Sequence, residues 1–346
     1  MKQLQLLSVG LVALSLFGAS QATAESSDTE LYAAAKTEGP ITWYNGTTNE
    51  ETATKIVNGF IAKYPGLKVN SVSVGAQVVF QRVLQELDAQ SPQSDVYSST
   101  DITQFEILKE RDALLNYRPA NAEYLKPALK NVDPDNFYTT TNVVLIGMAI
   151  NKDLVSTADE PKNWTDILDS KWQDQIGVGS PNFSGSMGIW TVAMEGKYGW
   201  DFFEKLSKLN PLVGQSISDP LTTLNAGERK IAAAAAPDVV TVQASKGNPL
   251  KVIYPADGFV AAISPTAVLK TSKSPNVSKL FVNFLLSEEV AEINWARFAT
   301  SVRGDLKEPD GISGTGDVKL IIPTAEQLAE KLLPLRQKWK ETMGGM

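Results

Sequence analysis

Apolar and polar positions along the chain keep two rhythms, and the changes from one to the other mark the elements. Residues 41–44 form a short β-prone run, closed by the turn residues Asn45, Gly46, Thr47 and Thr48. Ile56, Val57, Phe60 and Ile61 then recur as one face of a helix. Thr48 and Glu51 have capping-box spacing, which predicts that this helix starts at Thr48. Strands at 67–72 and 95–97 and helices over 78–87 and 102–108 continue the alternation. Such regular alternation predicts a parallel sheet with helices on its faces, and ligands then sit outside the carboxyl ends of the strands. Here that points to the loops 45–48 and 98–101.

A second unit begins with residues 137–150, a long, mostly uncharged stretch rich in Thr and Val that reads as a strand crossing between lobes. The alternation resumes with a segment at 164–168, strands at 175–178 and 212–215, and helices over 187–195 and 200–209. Residues 231–236 are an unbroken small apolar run, read as a buried strand, and Pro237 opens a helix at the first position that proline favours. Residues 251–254 and 260–263, interrupted by Pro255, Asp257 and Gly258, read together as the return crossing. Helices over 280–286, 290–298 and 325–342 complete the chain. The expected architecture is α/β: residues 25–140 with 265–346 form one lobe, 141–264 the other, and two hinge crossings join them. Hinged lobes make a clamshell, a binding geometry before it is a catalytic one.

The N-terminus follows another logic. Lys2 precedes an apolar run over 6–19, and Ala22-Thr23-Ala24 supplies the small-x-small pattern of a cleavage site. The run is shorter than the ~20 residues a bilayer span needs. Residues 1–24 are therefore expected to be a cleavable signal peptide and the mature chain an exported protein of the periplasm.

Composition narrows the chemistry. Among the 346 residues there is no Cys and no His, so disulfides, thiolate nucleophiles, Ser-His-Asp catalysis and imidazole metal sites are excluded. A net charge of −7 with no basic block argues against a nucleic-acid partner. No G-x-S-x-G elbow, phosphate-binding Walker loop or dinucleotide fingerprint occurs. The expectation is a binding protein, not an enzyme, with no cofactor and no resident metal. Carboxylates distant in sequence could still pair for hydrolysis, which keeps a secreted hydrolase or transferase as the alternative of another class.

Three hydroxyl-rich loops stand at predicted strand-to-helix junctions: Thr47 and Thr48, then Ser98, Ser99 and Thr100, then Ser184-Gly185-Ser186. A helix start offers free N–H groups and a positive dipole end to an anion, with hydroxyls to help. Each loop is equally readable as an ordinary N-cap, although three at equivalent places favour function. Asp101 and Asp238, at similar junctions, could meet a cationic group of the ligand or serve as first-turn acids. Tyr254, on the return crossing, could line the cleft floor or the core.

Several segments together carry a family likeness: residues 41–46 (ITWYNG), 94–99 (SDVYSS), 184–186 (SGS), 281–289 (FVNFLLSEE) and 301–305 (SVRGD). In their order and spacing they resemble the extracellular solute-binding proteins of ABC transporters, and within them the branch that contains the periplasmic ferric-iron-binding proteins. The resemblance implies a type II periplasmic-binding-protein fold, ligand in the interlobe cleft, and delivery by a monomeric receptor to a membrane permease. Ferric-binding members typically place a His or other ligand after the first strand, an acid after the third, and two adjacent tyrosines in the second lobe. Here those places fall near Thr48, Thr100 and Pro237-Asp238, and no Tyr-Tyr pair exists. Without phenolates the hard anionic oxygens that suit a ferric ion are missing. The Ser184-Gly185-Ser186 turn resembles the anion-holding loop of the branch. The expected ligand is therefore a small anionic or zwitterionic organic solute bearing phosphate, phosphonate or carboxylate, with ferric iron as the alternative.

Overall fold

The computed structural model describes residues 28–310 and 319–344; the expected signal peptide lies outside them. Ten strands are described: β1 (Ile41–Gly46), β2 (Val69–Ser73), β3 (Val96–Ser99), β4 (Thr139–Asn151), β5 (Ile176–Gly179), β6 (Leu212–Gly214), β7 (Ile231–Ala235), β8 (Leu250–Ile253), β9 (Phe259–Val268) and β10 (Leu320–Ile321). The helices are α1 (Asp28–Ala35), α2 (Glu50–Lys63), α3 (Ala76–Asp88), α4 (Thr103–Glu110), α5 (Gly185–Tyr198), α6 (Asp201–Lys208), α7 (Asp219–Asn225), α8 (Pro237–Ser245), α9 (Pro275–Phe284), α10 (Glu288–Trp295) and α11 (Ala325–Met343). None of the described helices is long and apolar enough to cross a membrane.

The strands run in the order β2-β1-β3-β9-β4-β7-β5-β6, with β10 beside β9 and β8 beside β4. β1 pairs in parallel with β2 and β3, and β5 with β6 and β7, as the alternation predicts. The two central strands break that rule, because β4 and β9 are antiparallel. Physically, a chain that crosses from one half of the sheet to the other has to run back to return. β4 pairs along 139–146 with β9 and along 147–151 with β7 and β8, so one strand serves both halves. The stretch read as a single return crossing is two strands: β8 stays on the far half of β4, and β9 alone leads back. Pro255 and Gly258 turn the chain between them, the Gly258 N–H donating to the Pro255 carbonyl at 3.0 Å.

Each half has its own aromatic core. Under β1, Phe60 of α2 meets Phe281 and Phe284 edge-on at 5.1 and 5.5 Å between ring centres, and Trp43 meets Phe281 at 5.2 Å. In the other half Trp190 of α5 contacts Phe202 and Phe203 of α6 at 6.0 and 5.5 Å. Such edge-on pairs add roughly 0.5–1.5 kcal/mol each beyond area burial.

The C-terminal helix, grouped on sequence with the first lobe, touches both halves: α4 of the first, and α5 and α6 of the second, with α5 foremost. Leu328, Leu335 and Trp339 recur on one face and are buried there, Trp339 5.5 Å from the Phe203 ring. Lys331 pairs with Glu195 at 2.9 Å, and the Trp200 indole donates to the Thr342 hydroxyl at 3.0 Å. Gly188 faces Leu332: a Cβ there would lie 2.7 Å from Leu332 Cδ1, so a larger residue would make that leucine tip turn aside.

Candidate functional site

A cavity of about 560 Å³ opens between the two halves, within the usual range for small-molecule sites. Gly46, the start of α3 and Thr100 with Asp101 form one wall; Asn182, Phe183 and the first turns of α5 form the other; Leu328, Leu332 and Arg336 of α11 close one side. Gly46 lets α3 begin here, since a Cβ at that position would come 2.7 Å from the Ala76 backbone.

Two helices start at this cavity. α3 begins after Gly75 with no side chain capping its first turn. α5 begins after Ser184, whose hydroxyl accepts from the Met187 N–H at 3.4 Å, a long cap bond. Exposed Gly185 lines the cavity, with half-buried Ser186 next to it in the chain. First-turn N–H groups with positive dipole ends favour negative charge.

A cation joins them. Arg336 donates Nε–H to the Pro181 carbonyl at 2.8 Å, which fixes the guanidinium against the β5–α5 loop. A Cβ built on Gly188 would lie 3.8 Å from Nη2, so the charge sits beside the first turn of α5. Among the described residues no carboxylate pairs with Arg336, whereas Lys126, Arg297 and Lys331 each meet one. Arg336 escapes sequence reading because it is one arginine in a Lys- and Glu-rich helix roughly 150 positions away from the loop it joins. Across the cavity, Asp101 accepts from the Thr103 N–H at 3.0 Å and hydroxyl at 2.6 Å, and from Gln77 Nε2 at 3.2 Å. It thus holds the start of α4 and ties it to α3.

Of the residues singled out on sequence, Thr100, Asp101 and Gly185 line the cavity and Ser184 caps the helix beside it. The others are held elsewhere. Buried Asn45 gathers both threonines: its Oδ1 accepts from the Thr47 hydroxyl at 2.8 Å, and its Nδ2 donates to the Thr48 hydroxyl at 2.9 Å. With Thr48 so engaged, Asn49 caps α2, one residue beyond the expected start, accepting from the Thr52 N–H at 2.9 Å. The Ser98 hydroxyl receives the Trp43 indole N–H at 2.8 Å and meets Thr266 Oγ1 at 2.6 Å inside the core. Ser99 is fully buried and donates to Gln104 Oε1 at 2.6 Å. Asp238 faces a separate, smaller crevice near Val143 and Leu145, where it pairs with Arg297 at 3.2 Å. Burial pushes the Arg297 guanidinium below its ordinary pKa, and the Asp238 charge pulls it back up. Tyr254 is half-exposed and edge-on to Phe259 at 5.4 Å, off the cavity. Among the described residues, no three Asp or Glu side chains gather as a metal site would need.

Comparison with known proteins agrees with this architecture. A 22% identical relative, an uncharacterized protein of Haemophilus influenzae, matches over 75% of this chain and 77% of its own. Iron-bound HitA of Pseudomonas aeruginosa superposes with a TM-score of 0.71 at 20% identity, covering 87% of this chain and 99% of its own. The periplasmic binding protein AfuA of Actinobacillus pleuropneumoniae, with exogenous fructose-6-phosphate bound, gives 0.70 at 21% identity and covers 88% and 98%. At these identities the likeness establishes the periplasmic-binding-protein fold. The family assignment comes from residues 94–308, which match the model of the bacterial extracellular solute-binding proteins, and the chain belongs to that family.

Proposed function

We propose that this protein is the periplasmic receptor of an ABC importer and that it captures a small anionic or zwitterionic organic solute in the cavity between its halves. The observation that carries this reading is Arg336, turned to the cavity beside the first turn of α5 with no carboxylate partner among the described residues. An anionic head group would complete that arrangement, accepting from the guanidinium and from the Gly185 and Ser186 N–H groups. Thr100 supplies a hydroxyl on the facing wall, and Asp101 a negative charge for an amine where the solute has one. That structural relatives carry iron in one case and fructose-6-phosphate in another leaves the same scaffold open to an organic anion.

β4 and β9 are the hinge in this reading, and the halves close over the solute as two lobes, 25–140 with 265–346 and 141–264. α11 spans the two lobes, against α4 on one side and held to the second by Trp339 and Lys331 on the other. The closed receptor, a monomer exported by its signal peptide, then hands the solute to the permease unchanged.

Thermal-shift titration of the mature protein tests the assignment. A true ligand at about 100 times its Kd adds roughly 2.7 kcal/mol of stability. Small organic phosphates, phosphonates or carboxylates are expected to raise the melting temperature and to be recovered intact by mass spectrometry. Stabilisation by ferric citrate alone would overturn the reading, and turnover of a stabilising compound would make the protein an enzyme.

A further inference from the structure

We infer that the solute carries an apolar body, aromatic or branched aliphatic, joined to its anionic head. The inference rests on the anion reading above and names the ligand class of the same cavity. Phe183 is 57% exposed and Val78 49% exposed, and both line it, one from each half of the molecule. Ile189 and Leu332 add apolar surface to the same lining. A phenyl ring left to water at the mouth of a cleft gains stability when something apolar covers it, at roughly 25 cal/mol per Å². A sugar or a polyol would instead put hydroxyls against carbon there and leave them without partners.

The polar groups of the same lining fall in two sets. Arg336 and the start of α5 lie together, while Thr100, Asp101 and Gln77 form a patch at the start of α3 and α4. An occupant matching this layout has a charged head at Arg336 and a carbon body under Phe183 and against Val78. The cavity of about 560 Å³ has room for a ring as well as a head group. Carboxylate and phosphonate heads share the chemistry that Arg336 recognises, and the test separates them.

Calorimetric titration of the mature protein with matched pairs decides the matter: benzylphosphonate against methylphosphonate, and phenylacetate against acetate. The apolar-bodied member of at least one pair is expected to bind tenfold or more tightly than its methyl counterpart. Phe183→Ala should remove most of that preference while leaving the weak affinity for the bare head; Arg336→Met should weaken both members alike. Phe183 is exposed, so its truncation leaves the fold intact, which the melting temperature of the unliganded variant confirms. Equal affinity within both pairs, or tighter binding of glucose 6-phosphate than of either aryl anion, overturns the apolar body and leaves the anion reading standing. Binding of no anion at all overturns both.

Discussion

Arg336 and Arg297 make an instructive pair. Each comes from a helical region near the C-terminal end of the chain and reaches a crevice between the halves, and each stands near the start of a helix of the second half, α5 or α8. Arg297 arrives opposite Asp238 and is satisfied within the protein at 3.2 Å. Arg336 is steadied by one carbonyl and otherwise keeps its charge for the cavity. A paired cation holds a contact between the halves; in the proposed reading the unpaired one, beside free N–H groups, is left for an anion. On that reading the difference separates a clasp from a binding site, though both residues are the same type.

The largest effect that can sharpen this contrast comes from removing the anchor of α11. Trp339→Ala empties a fully buried aromatic site against Phe203 and should cost about 3–5 kcal/mol in denaturant unfolding. Ligand affinity should fall with it, since Arg336 loses its support; retained affinity would mean that the cation is dispensable. Next, Arg336→Met removes charge-assisted bonds worth roughly 1.5–3 kcal/mol, so anion affinity should drop about tenfold to a hundredfold with the melting temperature of the free protein unchanged. If affinity survives, Arg336 is no more a site than Arg297 is.

A smaller change is expected at the clasp. Its side chains are 32% and 24% exposed, so Asp238→Asn should cost at most about 1 kcal/mol of stability and alter affinity far less than Arg336→Met. A larger loss of affinity there would place Asp238 in the site after all. The smallest effect is a pH dependence. Burial, with the Glu86 carboxylate at 2.5 Å, raises the Tyr44 phenol from 10.0 to about 12. The folded form keeps this proton where the unfolded chain loses it, so the contribution is complete below pH 10 and lost as pH rises to 12. Guanidinium groups stay charged throughout, so anion affinity should persist to pH 10 while stability begins to fall above it. Tyr44→Phe should lessen that alkaline decline, to which the raised phenols of Tyr64, Tyr97, Tyr138 and Tyr198 also contribute; an unchanged decline would show that Tyr44 has no part in it.

Three loops that look alike on sequence illustrate how much of the site was legible. Ser98 and Ser99 follow a strand as Ser184 does, yet they belong to β3 and point into a core already occupied by Trp43, Thr266 and Gln104. Thr47 and Thr48 lie beyond their strand but are spent on Asn45. At Ser184 the glycine beside it is exposed, and the turn opens on the cavity. Hydroxyls at strand ends are a composition signal, and what they bond depends on neighbours up to 168 positions away, as Thr266 shows for Ser98. Of the residues singled out in these loops on sequence, Thr100, Asp101 and Gly185 stand on the cavity wall, and the hydroxyls of Thr47, Thr48, Ser98 and Ser99 are bonded inside the fold.

Strand and helix alternation, the two long uncharged crossings and the absence of Cys and His are properties of the chain read in order, and they determined the α/β class and excluded whole families of chemistry. Periodicity reports which face of an element is buried, and a missing side chain cannot be supplied by folding. Contacts between residues distant in sequence carry no such local mark. Tertiary structure alone decided that α11 lies against α5, α6 and α4, and that Arg336 thereby enters the cavity while Asp238 is neutralised by Arg297. Charge is fixed by sequence, but whether a charge is free or already answered depends on what the fold brings within a few ångströms of it.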